Sequence, residues 1–169
     1  MYGCLGFHGS RFYAKPIAAL ITKLGRETLE ATVKTVTEEM RLDVIYGDTD
    51  SIMIATNQDD MAATLAIGDR VKASINKLYK CLEIEVDHVF KSILLYKKKK
   101  YAALKEENGK LTKEIKGMDM VRRDWAPIAK NLCADILDDI LSGNPIDDIV
   151  TAITTKLADC YEALNTNQF

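Results

Sequence analysis

Apolar positions along this chain keep two different periods, and the switches between them divide it into elements. From Pro16 to about Arg41, Ile17, Leu20, Ile21, Leu24, Val36 and Met40 recur on or near one helical face, and Pro16 suits a first helical position. Two short apolar runs follow, Val44-Ile45-Tyr46 and Ile52-Met53-Ile54, on either side of Gly47-Asp48-Thr49-Asp50-Ser51. They predict a hairpin over about 43–56. A second helix is expected over about 60–82, where Val71, Ile75, Leu78 and Leu82 recur at helical spacing with Lys72, Lys77 and Lys80 between them. Strand signals return from Val86 to Tyr96 and from Lys100 to Lys105, Glu106-Glu107-Asn108-Gly109-Lys110 reads as a loop, and Lys113 to Gly117 pairs back. The pattern then becomes helical again. Leu132, Ile136 and Ile140 step by four, with Cys133, Leu137 and Leu141 beside them, until Ser142-Gly143 stops the run. Asn144 reads as an N-cap and Pro145 as a first residue, with Asp147-Asp148 at the positive end of a last helix over about 145–164. Residues 1–15, rich in glycine and aromatics, look irregular, and no repeat or low-complexity tract appears.

This order predicts an α+β fold. Residues 1–117 form an antiparallel sheet with helices packed on one side, and residues 118–169 form an α-helical hairpin. A chain of 169 residues buries one core, or one core and a small appendage. No apolar run approaches the roughly 20 residues of a membrane span. The four cysteines, at 4, 81, 133 and 160, are too scattered for a zinc ribbon and read as reduced residues of an intracellular protein.

Charge is divided along the chain. The net charge is −2, yet residues 131–169 hold seven acids and one base, a balance of −6, which leaves +4 for residues 1–130. From Lys91 to Lys105 there are six lysines and no acid. Such a stripe tracks phosphates. It also serves as the solvated edge of a sheet, where lysine blocks aggregation.

Asp48 and Asp50 are the candidate chemistry. Carboxylates two apart in extended chain lie on the same side. Two acids on one side of a rigid hairpin hold hard divalent cations through oxygen, as phosphoryl transfer by paired metals requires. Asp-x-Asp between strands is also common as a solvated turn. His8 and His88 have no partner at ligand spacing.

Several stretches in order resemble the family B DNA polymerases. Tyr46-Gly47-Asp48-Thr49-Asp50-Ser51 matches the family's third polymerase motif letter for letter. Met1-Tyr2-Gly3 looks like the end of the fingers motif, whose upstream lysine and asparagine are absent here. Lys98-Lys99-Lys100-Tyr101 is similar to the downstream basic-aromatic motif. Lys116-Gly117-Met118-Asp119, with Arg122-Arg123-Asp124-Trp125, is similar to the passage from palm to thumb. The resemblance covers nearly the whole chain. It implies a palm-like subdomain over 1–117, with the tail of the fingers motif at 1–15, and the start of the thumb over 118–169.

What the resemblance implies for function follows residue by residue. Asp50 binds both catalytic Mg2+ ions, and Asp48 plays a lesser or outer role. The metals serve nucleotidyl transfer from a dNTP to a primer 3′-hydroxyl. Tyr2 and Gly3 flank the nascent base pair. Lys98, Lys99, Lys100 and Tyr101 contact primer–template DNA or an RNA–DNA hybrid. Gly47 lets the DNA backbone approach. Tyr46 is either a strand aromatic or a residue near the primer terminus. Arg122 and Arg123 hold phosphates, or pair with Asp119 or Asp124. Trp125 reads as a domain-junction anchor. The family's other essential aspartate lies in an upstream motif with no match here. The expected entity is therefore part of a nuclear replicative polymerase, inactive in isolation. Its partners are the remainder of the polymerase chain and, through regions outside this sequence, primase and an accessory subunit. An exposed sheet edge should favour self-association. Two other readings stay open: a stand-alone nucleic-acid-binding domain without catalysis, and a different two-metal enzyme such as a nuclease.

Overall fold

The computed structural model describes residues 3–107 and 109–166. The chain packs as two compact units, Met1–Val86 and Asp87–Phe169. The fold is α+β, as the alternation of periods predicts.

The first unit opens with a single helical turn, α1 (Gly3–Gly6), and a long helix, α2 (Lys15–Lys34), with Pro16 in its first turn. The helix widens over Thr35–Glu39, where the Met40 amide reaches back five residues to the Thr35 carbonyl at 3.2 Å. Strands β1 (Asp43–Asp48) and β2 (Ser51–Ala55) then form a two-stranded antiparallel sheet. Helix α3 (Met61–Asn76) follows, and its first turn is capped by Asp60, whose carboxylate accepts from the amides of Ala62 and Ala63 at 3.2 Å. Val36, Val71 and Ile75 form the buried centre, and Leu42, just before the hairpin, packs against it with Val44, Ile52 and Ile54 of the hairpin.

Helix α3 stops at Asn76, short of the expected end near residue 82. The cause is local. The Asn76 carboxamide donates to the Ile84 carbonyl at 3.2 Å and accepts from the Ile84 amide at 2.8 Å. This two-way clamp folds the chain back and brings Ile84 onto the core, while Leu78 and Leu82 point to solvent. The early part of α2 departs from expectation in another way. Ile17, Leu20, Ile21 and Leu24 do share a face, but that face is exposed.

In the second unit, β3 (Phe90–Lys97), β4 (Lys100–Glu107) and β5 (Lys110–Lys116) form a three-stranded antiparallel meander with β4 in the middle. Helices α4 (Pro127–Leu141) and α5 (Ile146–Thr166) make the expected hairpin, parted by Gly143 at φ +80°. Helix α4 lays Leu137 and Leu141 on fully buried Ala102 of β4, with Leu94, Leu104 and Ile115 around them. Ser92 ties the sheet to the helix end by donating to the Leu141 carbonyl at 2.8 Å. Lys113 does the same across the gap to Asp138 at 2.6 Å.

One expectation changes. Among the described residues the strands form two separate sheets, where the sequence pattern placed them in one layer. By packing, the chain divides at Val86/Asp87. The reason is that the meander buries its apolar face against α4, so the last strands and the helical hairpin share one core.

The β1–β2 sheet leaves both outer edges without a strand partner among the described residues. Ile52 and Ile54 face the core, so Ile45 is the exposed aliphatic of that edge. Open backbone donors and acceptors beside an exposed isoleucine favour strand addition. Light scattering across a concentration series should therefore show dimers or larger species, and Ile45→Lys should reduce them. A monomer at every concentration would refute this.

Candidate active site

The acidic tip of the first hairpin is made by a change of register. Val44 pairs with Ile54, but Tyr46 pairs with Met53, so Ile45 is an extra residue in β1. Had the first register continued, Asp48 would face Asp50 and leave one residue to turn the chain. The bulge moves Asp48 opposite Ser51, and Thr49-Asp50 become a two-residue loop. Bulges are frequent beside active sites because they re-aim side chains.

Thr49 adopts φ +50°, a left-handed conformation that costs a non-glycine residue about 1–3 kcal/mol. Local bonds hold it there. The Asp50 amide donates to the Asp48 carbonyl at 2.6 Å, the Thr49 hydroxyl to Asp48 Oδ1 at 3.2 Å, and the Ser51 hydroxyl to the Asp48 carbonyl at 3.3 Å. Asp48 is half-buried at the end of β1, and Asp50 is exposed in the loop. The two acids are therefore not neighbours on one side of an extended strand. They share a tip because the chain reverses between them. Their chemistry is that of hard oxygen donors, which suits Mg2+. Among the described residues no group of three or more histidine, cysteine or acidic side chains is placed to hold a metal. Asp48 and Asp50 fit as part of a ligand set that needs further donors.

The lysine stripe resolves into two kinds of residue. Lys97, Lys98 and Lys99 are exposed at the β3–β4 turn, where Lys97 pairs with Lys100 and Lys98-Lys99 form the loop. Lys97 sets its ammonium 5.6 Å from the centre of the Tyr96 ring. Lys91 is exposed as well. Lys100 and Lys105 are committed within the unit. Lys100 bonds Asp119 at 2.8 Å, and that bond holds the Asp119 carboxyl below its ordinary value. Lys105 bonds Glu107 at 2.6 Å, with the same effect on Glu107, and approaches His88 at 3.2 Å. Tyr101 directs its hydroxyl to Glu114 at 3.2 Å and sets its ring edge-on to Phe90.

A sequence model of DNA polymerase family B matches residues 1–169. The chain belongs to DNA polymerase family B. It is similar to the DNA polymerase alpha catalytic subunits of Xenopus laevis (55% identical over 96% of this chain), Mus musculus (53% over 96%) and Sterkiella nova (52% over 94%). It spans 11% of the length of each of these relatives.

The remaining residues that the family B likeness singled out sit as follows. Tyr2 lies outside the described residues. Gly3 opens α1, and a side chain there would meet nothing within 4 Å. Arg122 forms a two-pronged pair with Asp124, both contacts at 3.1 Å, and Arg123 is exposed. Of the two alternatives for Arg122, the local ion pair is therefore formed. Trp125 is 37% exposed, more open than a packed anchor. Sequence reasoning missed the bulge at Ile45, the bond from Tyr101 to Glu114 and the partnership of Lys100 with Asp119. Only a pairing register or a partner far along the chain reveals these. It also missed how closely Gly117 approaches the lysine turn, although a glycine following the last lysine of a strand is a visible signal.

Gly47 is different. Its backbone is ordinary strand, and an added Cβ would meet only the Ser51 carbonyl oxygen at 3.6 Å and Ile52 Cγ2 at 3.8 Å. Nothing inside the unit demands glycine. Gly47→Ala should therefore leave stability unchanged or raise it by up to about 1 kcal/mol, since alanine loses less backbone entropy. Urea unfolding of the two proteins measures this, and a clear loss would assign Gly47 to the fold.

Proposed function

We propose that this chain is part of the catalytic core of a replicative, nuclear DNA-directed DNA polymerase, carrying palm elements and the start of the thumb. The observation that carries the reading is the tip Gly47-Asp48-Thr49-Asp50-Ser51, held in a strained turn within a chain of family B. The parent protein extends a primer on a DNA template with dNTPs.

In this reading Asp50 and Asp48 are the acids that bind magnesium. When bound there, paired Mg2+ ions supply Lewis acidity to the primer 3′-hydroxyl and charge neutralisation to the departing pyrophosphate. The chain's own residues do the rest. The Thr49 and Ser51 hydroxyls fix the Asp48 end of the turn. Gly47 and Tyr46 face the primer terminus, and the absent side chain at Gly47 leaves room for the DNA backbone. Tyr2 and Gly3 border the nascent base pair. At the second hairpin, exposed lysines meet phosphates as point charges that carry no sequence preference, as a copying enzyme requires. Arg123 adds a further phosphate contact. Two carboxylates leave the metals short of protein ligands, so the further acid comes from the remainder of the polymerase chain. Primase and an accessory subunit bind that remainder.

Metal binding tests the first part. Magnesium dehydrates reluctantly and keeps several waters, so two acids give an affinity no better than about millimolar. Calorimetry should show that weak binding, diminished in Asp50→Ala. In a primer-extension assay with magnesium the chain alone should add no nucleotide. Templated extension abolished by Asp50→Ala would overturn the inference of a missing acid.

DNA binding tests the second part. Affinity for duplex should be indifferent to sequence and fall steeply with salt. Replacing Lys98, Lys99 and Lys100 with alanine should remove most of it. Unchanged binding in that variant would place the DNA-contacting surface elsewhere.

A further inference from the structure

Gly117 follows β5 with φ +64°. A Cβ built there would lie 2.1 Å from the Lys99 carbonyl oxygen, 3.2 Å from the Lys99 carbonyl carbon and 3.4 Å from Lys100 Cγ. The first distance is far inside van der Waals contact, and its partner is backbone. No rotamer change relieves it. The register explains the approach. Tyr101 pairs with Lys116, the last residue of β5, so Gly117 comes level with the start of β4 and the end of the lysine turn. Lys99 is itself left-handed, at φ +63°. A lysine in that region is held by its surroundings.

The second tie to the turn comes two residues later. Asp119 receives the Lys100 ammonium at 2.8 Å, and the Lys100 side chain is only 22% exposed. Gly117-Met118-Asp119 thus grips the turn twice, once through backbone shape and once through charge. Met118 adds its side chain to the core beneath the sheet.

We propose that Gly117 is a positioning residue for the basic turn, with Asp119 and Lys100 as its second anchor, so that Lys98 and Lys99 are presented to the DNA backbone in a preset geometry. Lys100 then serves the turn and not the phosphates. This deepens the reading of the β3–β4 turn as a primer–template contact and rests on it. Preset donors bind more tightly because their ordering cost is already met in the free protein.

The test uses the whole chain with a short DNA duplex and four variants. Gly117→Ala changes no charge. It should weaken binding several-fold at low salt and reduce the slope of log affinity against log salt by about one for each phosphate the turn no longer neutralises. Gly109→Ala is the matched control. It has the same kind of left-handed glycine, φ +73°, at the opposite end of the same sheet, with nothing within 4 Å of a Cβ. It should bind as the unaltered chain does. The Cα and Cβ shifts of Lys99 in NMR should leave the left-handed range in Gly117→Ala and stay in it in Gly109→Ala. If Gly117→Ala does not fold, Asp119→Ala decides. It removes a negative charge, so charge counting alone predicts tighter binding, whereas a loosened turn predicts weaker binding. Binding as tight as the unaltered chain in Gly117→Ala, or tighter in Asp119→Ala, would overturn the proposal. Unchanged binding after alanine replacement of Lys98, Lys99 and Lys100 would instead remove the turn from the DNA surface. The Lys99 shifts would then report the positioning alone.

Discussion

Strand register is the constraint on which both hairpin tips depend. Side chains alternate with period two, so a slip of one residue would turn an apolar face to water. In the first unit that face is Val44, Ile52 and Ile54 on Val36, Val71 and Ile75. In the second it is Leu94, Ala102 and Leu104 on Leu137 and Leu141. Neither sheet can slide without losing its core. The loops at the strand ends inherit that fixity. Thr49-Asp50 and Lys98-Lys99 are both two-residue loops closed by a defined pair, and each holds a non-glycine residue in left-handed backbone.

Strain and support are arranged differently at the two tips. At the acidic tip the support is local. Hydroxyls one and three residues from Asp48 fix the turn, and the bulge at Ile45 sets which residue closes it. At the basic tip the support comes from the far end of the meander, through Gly117 and Asp119. The difference follows from topology. Among the described residues the acidic hairpin has two strands and no third to lean on, whereas β4 is a middle strand with β5 alongside.

Charge is also used unevenly. Exposed ion pairs contribute little stability. The Lys100–Asp119 and Lys105–Glu107 pairs, with lysine side chains largely covered, act more as fixed geometry than as stabilising energy. They withdraw two lysines from the basic face and leave Lys91, Lys97, Lys98 and Lys99 outward. A stripe that looks uniform in sequence is in three dimensions an outward group at the β3–β4 turn, Lys97 to Lys99, anchored by Lys100, with Lys91 and Lys105 at the other end of the strand pair.

The sequence by itself determined the class of the fold, the order of its elements and the family. Helical and strand periods are local, and Tyr46-Gly47-Asp48-Thr49-Asp50-Ser51 is contiguous, so each is legible without knowledge of the pairing. Pro16 and Gly143 marked helix ends for the same reason. Tertiary structure decided what depends on pairing between distant residues. The clamp from Asn76 to Ile84 turned the chain back after α3, because one carboxamide satisfied both backbone groups of Ile84. The shared core of Ala102, Leu137 and Leu141 set the packing boundary ahead of the meander. The bulge at Ile45 brought two acids together by a reversal of the chain and not by the pleat of a strand. Gly117 and Asp119 became partners of a lysine turn nearly 20 residues upstream. No local period encodes such approaches. They follow from burying an apolar face on each sheet, which fixes the register and thereby decides which backbones meet.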